Sequence, residues 1–165
     1  MIVIGLGANL PLNEAMGPTE TLEAALTELQ SSGVHVVARS PWYESQPVPD
    51  EGQPWYVNGV AIVETTLAPN ALLETLLSVE RSFGRVREKR WASRTVDLDI
   101  LDYDGLVKDD DEALVLPHPR MHERRFVVEP LSDIAPSWCH PVFKLTAVDI
   151  LAALPAEPIV RKMAF

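Results

Sequence analysis

Tyr56-Val57-Asn58-Gly59-Val60-Ala61-Ile62-Val63-Glu64-Thr65 reads as a β-strand. It is rich in β-branched and aromatic residues, and side chains alternate across a strand with a period of two. That period places Tyr56, Asn58, Val60 and Ile62 on one face, and Val57, Ala61 and Val63 on the other. Upstream, Met1 to Ala8 is apolar and β-branched, then glycine-rich, and reads as a buried first strand. Leu22, Ala25, Leu26 and Leu29 fall at helical spacing, with Thr19 or Thr21 as N-cap, and Val34 to Arg39 is a short strand. A proline-rich loop runs from Pro41 to Pro54. Downstream, Pro69 suits the first turn of a second helix. Its apolar stripe is Leu72, Leu73, Leu76, Leu77, Val79 and Phe83, with Glu80 at the stripe's edge and Gly84 as a stop. Arg94 to Tyr103 is the last strand of the series.

The order strand, helix, strand, strand, helix, strand predicts an α+β fold of the ferredoxin-like βαββαβ type. In that fold the helices cover one side of an antiparallel sheet. The rest of the chain is a C-terminal extension. An acidic turn, Asp109 to Glu112, precedes a short helical region opened by Pro117-His118-Pro119, and helices are predicted over 126–134 and 146–154. The 165 residues are expected to form one domain, 1–165.

Charge is unevenly placed. The chain has a net charge of -10, yet residues 81–94 hold Arg81, Arg85, Arg87, Lys89, Arg90 and Arg94 against one acid, Glu88. The rest of the chain therefore balances at -15. Such a surface repels nucleic acid and anionic membrane, so neither is expected as a partner. The concentrated basic stretch suits a small, highly charged anion, although charge runs are also commonly just solvated. There is no apolar span of membrane length and no basic leader. A single cysteine, Cys139, excludes an internal disulfide framework, and a cytoplasmic location is expected.

The basic stretch runs directly into Asp97-Leu98-Asp99. Residues two apart on a strand share a face, so the carboxylates sit together while Leu98 enters the core. Two close like charges call for a cation between them, and Mg²⁺ takes a few carboxylates plus phosphate oxygens. The alternative is a strand face whose acids pair with Arg or Lys. Arg85, Arg87 and Arg94 bracket a loop with Gly84 at its base, a suitable lid over polyphosphate. Trp91 either caps a flat ligand or anchors that loop. His118 and His122, at i and i+4 near Glu123, raise zinc, but the metalloprotease pattern is absent. A hydrogen bond from His118 to phosphate is favoured, with Arg120, Arg124 and Arg125 nearby. Tyr56 and Asn58 either read a planar heterocycle or serve ordinary sheet packing. No P-loop or complete dinucleotide fingerprint is present.

Several motifs in order resemble the 6-hydroxymethyl-7,8-dihydropterin pyrophosphokinase family of folate biosynthesis. They are Gly5-Leu6-Gly7-Ala8-Asn9-Leu10, Gln53-Pro54-Trp55-Tyr56-Val57-Asn58, Gly84-Arg85-Val86-Arg87, the run from Arg90 to Leu101, and the run from Pro117 to Phe126. The resemblance implies transfer of the β,γ-diphosphate of ATP to the hydroxymethyl group of the dihydropterin, releasing AMP. By matching position, Asp97 and Asp99 would hold two Mg²⁺ ions and, with Arg85 and Arg94, form the catalytic set. Glu80, Arg87, Trp91, Arg94, Ile100, His118 and Arg124 would serve ATP. Tyr56 and Phe126 would sandwich the pterin and Asn58 would read its edge, with Ser45, Gln46, Pro47, Val48 and Trp91 completing that pocket. The enzyme is expected as a monomer. Two departures from the family pattern are Ala92-Ser93, where Gly-Pro is common before the arginine, and Gln46, where proline is common. A nucleic-acid module on a ferredoxin-like sheet is disfavoured by the acidic balance and by the paired aspartates. A metal-dependent phosphohydrolase leaves the Tyr56, Asn58 and Phe126 pocket without a purpose.

Overall fold

The computed structural model describes residues 1–84 and 95–164. Its sheet is organised around β4 (Tyr56–Glu64), the strand whose two faces are apolar. On one side β4 pairs antiparallel with β1 (Ile2–Ala8), which in turn pairs with β5 (Asp97–Tyr103). On its other side lie β2 (His35–Arg39) and β3 (Tyr43–Ser45). β2 and β3 act as one strand interrupted at Pro41, which has no N–H to give a ladder. Ser40 bridges the break: its Oγ accepts the Val60 N–H at 3.0 Å, and its own N–H donates to the Val60 carbonyl at 2.9 Å. Trp42 then lies against Gly59, where a Cβ would come within 2.6 Å of the indole. A last strand, β6 (Val160–Lys162), adds to the free edge of β3. The order β5-β1-β4-β3-β6, with β2 beside β4, is the expected ferredoxin-like sheet with two short strands added.

α1 (Pro18–Ser31) and α2 (Pro69–Ser82) cover one face, as expected. Leu22, Leu29, Leu72, Leu76 and Val79 pack there on Ile4, Leu6, Val57, Ala61 and Leu98. α1 starts earlier than its threonines suggest. Gly17 is the N-cap and Pro18 takes the first helical position, where its fixed φ is already helical. Thr21 is thus inside the helix, and its hydroxyl donates to the Gly17 carbonyl at 2.8 Å. Gly84 ends α2 with φ +79°, as its position foretells.

The helices are not confined to one side. α3 (Arg125–Ile134) and α4 (Ala147–Ala153) belong to the extension and cover the opposite face. There Val127, Val128, Leu131, Trp138 and Ile150 meet Val3, Val60 and Leu101. A β-bulge in β5 shapes this face. The β1–β5 register slips between Val3 and Ile4, so Leu101 and the buried Asp102 both turn toward α3. Asp102 accepts the Trp138 indole N–H at 2.8 Å and the Gly105 N–H at 3.1 Å. Its partners are structural, and a buried carboxylate needs them. No helix among the described residues is long and apolar enough to cross a membrane.

Candidate active site

Strand register assembles the site on the α3 face. Directly paired residues share a face, so one row across the sheet reads Tyr43, Asn58, Gly7, Asp97. The next row along reads Val60, Gly5, Asp99. Adjacent strands are about 4.8 Å apart, so Asn58 and Asp97 stand roughly 10 Å from one another across a glycine. Gly7 puts no side chain between the amide and Asp97, while Leu101 packs over Gly5. A Cβ at Gly7 would come within 3.2 Å of Asn58 Oδ1. Alternate glycines in a strand are the signal that marks this gap, and Gly7 belongs with the site residues although the first motif carried no site role for it.

Asp97 and Asp99 are half-buried, while Leu98 and Ile100 point into the α1/α2 core. The Ile100 side chain therefore faces away from the carboxylates. Glu80 is 1 % exposed at the inner end of α2, and its Oε1 accepts the Leu98 N–H at 2.7 Å. That bond pins the residue between the two aspartates. Two hard oxygen donors on one face beside a surface cleared by glycine suit Mg²⁺, which completes its shell with phosphate oxygens and water.

Two hydrogen-bond donors, His118 and Arg124, face the carboxylates from the extension. The His118 N–H donates to the Leu101 carbonyl at 2.8 Å, which docks the 116–118 segment onto β5. Burial pushes the His118 imidazole down to about 4, and the Arg124 guanidinium adds to this against the opposing pull of Asp97. His118 is thus neutral near pH 7. Its Nδ1 accepts the Arg120 N–H at 3.1 Å, which leaves the proton on Nε2 as a donor. Burial, and after it Arg120, lowers the Arg124 guanidinium, with Asp99 and Asp97 acting the other way. An arginine keeps its charge through such a shift. Arg125, next in sequence, turns back along α3 to Glu129 at 2.9 Å and takes no part.

The second half of the site is the pocket wall. The Asn58 Nδ2 donates to Ser45 Oγ at 2.6 Å, and Ser45 sits beside Tyr56 in the ladder. Pro47 is buried, Gln46 half-buried and Val48 70 % exposed. Phe126 opens α3, with the Arg124 guanidinium 5.7 Å from its ring, and packs on the second core. Asn9 ties the loop to β1: its Nδ2 donates to the Pro54 carbonyl at 3.2 Å. Arg85, Arg87, Trp91 and Arg94 lie outside the described residues.

The zinc pairing of His118 with His122 is not formed. His122 instead packs edge-on against His140 and Phe143, with ring centroids 5.6 and 4.7 Å away. Among the described residues no three His, Cys, Asp or Glu side chains gather as a metal site.

Known proteins resemble this chain in sequence and in fold. The family profile for 7,8-dihydro-6-hydroxymethylpterin-pyrophosphokinase matches residues 3–136. A Pseudomonas aeruginosa protein is 41 % identical over 161 residues, covering 97 % of this chain and 95 % of its own. A Methylorubrum extorquens protein is 44 % identical over 135 residues, or 81 % of each chain. Both are named 2-amino-4-hydroxy-6-hydroxymethyldihydropteridine pyrophosphokinase. A solved Plasmodium falciparum HPPK-DHPS structure superposes with TM-score 0.72 over 92 % of this chain at 14 % identity, a likeness of fold. The chain spans about 42 % of that longer protein. The profile match and the close relatives together establish that this chain belongs to the 7,8-dihydro-6-hydroxymethylpterin-pyrophosphokinase family.

Proposed function

We propose that this pyrophosphokinase of folate biosynthesis uses Mg²⁺-bound ATP and carries out the transfer within one domain spanning the chain. The hydroxymethyl oxygen of the dihydropterin attacks the β-phosphorus of ATP. The bond from that phosphorus to the α,β-bridging oxygen breaks, AMP leaves, and the hydroxyl proton passes to solvent or a nearby carboxylate. The observation that carries this reading is the row Asn58, Gly7, Asp97. It sets a polar group suited to a heterocycle and a carboxylate suited to metal on one face of the sheet, with no side chain between them in the row and roughly two strand spacings apart.

Each residue has a positional task. Tyr56 and Phe126 supply the apolar walls of the pterin pocket, and Asn58, fixed by Ser45, offers its amide to the ring edge. The main chain from Ser45 to Val48 closes the pocket. Asp97 and Asp99 hold two Mg²⁺ ions, which when bound neutralise polyphosphate charge and polarise the phosphorus. His118, neutral, donates from Nε2 to a phosphate oxygen, and Arg124 supplies charge that follows the polyphosphate through the reaction. Arg85, Arg87 and Arg94 are assigned from the sequence to further phosphate oxygens, and Trp91 to closing the site. Glu80 acts through β5, since its bond to Leu98 fixes the strand between the aspartates. Phosphoryl transfer rests mostly on such positioning and charge stabilisation.

The test is incubation with ATP, Mg²⁺ and 6-hydroxymethyl-7,8-dihydropterin, with nucleotides separated by chromatography. AMP that appears only with the pterin supports the reading. ADP, or no turnover, refutes it.

A further inference from the structure

The segment that carries Ser45 to Val48 is held by a strand more than a hundred residues away. β6 pairs with β3 in the register Tyr43 with Lys162, Glu44 with Arg161 and Ser45 with Val160. Two further main-chain bonds extend this ladder at both ends. The Gln46 N–H donates to the Ile159 carbonyl at 3.0 Å, and the Met163 N–H donates to the Trp42 carbonyl at 2.9 Å. The other side of β3 sets Ser45 beside Tyr56 and Tyr43 beside Asn58. β3 is therefore clamped between the pocket strand and β6.

Side chains of β6 grip both faces of this clamp. Arg161 Nε donates to Glu44 Oε2 at 2.9 Å, and its guanidinium lies 4.7 Å over the Trp55 ring. Lys162 turns the other way. Its Nζ is 2.9 Å from Asp133 Oδ2 and 5.7 Å from the Tyr43 ring centroid. Asp133 also accepts the Tyr43 hydroxyl at 2.5 Å, and it lies in the last turn of α3. Burial and the Asp133 carboxylate hold the Tyr43 hydroxyl in its protonated, donating form. Arg161 thus holds β3 from the face of Glu44 and Trp55, and Lys162 holds it from the α3 face through Tyr43 and Asp133.

These contacts are partly exposed, and exposed ion pairs contribute little to global stability. Their consequence is local. We propose that Arg161 and Lys162 are positioning residues for pterin recognition: through β3 they fix the 45–48 segment beside Tyr56 and Asn58. Neither residue touches the substrate. The inference rests on the function proposed above and assigns to β6 an effect on the pterin half of the site, with the ATP half unaffected.

Steady-state kinetics of Arg161→Ala, Lys162→Ala and the double variant separate the two halves. The double variant is expected to raise KM for the pterin about tenfold, while KM for ATP and kcat stay within about twofold. Arg161→Lys, which keeps the charge, is expected to recover part of the loss. A purely structural role would lower Tm and the active fraction without shifting one KM against the other. Unchanged pterin KM in the double variant, or equal rises in both KM values, would overturn the inference while wild-type turnover keeps the pyrophosphokinase reading intact. Absence of pterin-dependent AMP from the wild type would overturn both.

Discussion

On the α1/α2 side of the sheet, every inward position of β1 carries a side chain: Ile2, Ile4, Leu6 and Ala8. On the α3 side the same strand offers Val3, then Gly5 and Gly7. The first face is closed over its whole length. The second is packed from Val3 to Gly5, where Val60, Leu101 and α3 meet, and carries no side chain at Gly7, between the buried Asn58 and the half-buried Asp97. One strand thus ends a core and begins a site within a few residues. The two faces should therefore answer differently to mutation: the closed face through stability, the open face through turnover.

The largest expected effect is on the open face. Asp99→Ala should lower kcat about a thousandfold, equivalent to about 4 kcal/mol of transition-state stabilisation, with Tm little changed. Near-normal turnover in this variant would remove the metal assignment. The closed face gives the contrasting case. Leu76→Ala deletes a fully buried side chain between α2 and the sheet. It should cost about 3 kcal/mol in urea unfolding while leaving kcat per folded molecule within about twofold. A large fall in kcat with unchanged stability would show that the faces are not separable as described.

Much of this division could be read from sequence, and where it could not the reason is local. The faces of β4 follow from period two, because nothing interrupts its nine residues. β3 and β6 have three residues each, and prolines crowd both, so neither carries a repeating pattern long enough to see. Asp102 shows the limit of period two. Counting from Asp97, it should share a face with Leu98, but the bulge turns it toward Trp138. Asp99 and Asp102 are thus both aspartates of one strand, one at the open site and one inside the core. Glu80 sits at the edge of an apolar stripe in sequence, yet it is almost fully buried because an edge N–H of β5 needs an acceptor. The reason that Gly5 and Gly7 matter appears only once β1 is placed between Asn58 and Asp97.

A smaller effect sharpens the boundary through pH. His118 sits where the extension docks on β5, and burial holds its folded value at about 4, below the 6.5 of an unperturbed imidazole. The unfolded chain therefore takes up this proton first as pH falls. Stability from this group is full above about 6.5 and is lost progressively as pH drops toward 4. Between pH 7 and 5 the loss should be about 2 kcal/mol for the metal-free protein in urea titrations. His118→Gln should flatten that slope. An unchanged slope would mean that other groups govern the acid side.

The smallest expected effect probes the gap itself. Gly7→Ala adds one methyl at the junction of the two half-sites. That Cβ would lie 3.2 Å from Asn58 Oδ1 and 3.9 Å from the Val57 carbonyl oxygen, so Asn58 must shift by a few tenths of an ångström. The Asn58 amide is held on its other side by Ser45, which limits how far it can yield. The fold should tolerate the change, because β1 is extended there and alanine adopts that backbone without strain. Pterin KM should rise about tenfold, equivalent to about 1.4 kcal/mol, with ATP KM little changed. Gly5→Ala is the internal control. Its Cβ would meet the Leu101 side chain at an ordinary 3.4 Å and point between core and metal site, so its effect on pterin KM should be smaller. If both alanines act alike, the glycines serve β1 as a strand; if only Gly7→Ala raises pterin KM, the gap between amide and carboxylate is part of the recognition surface.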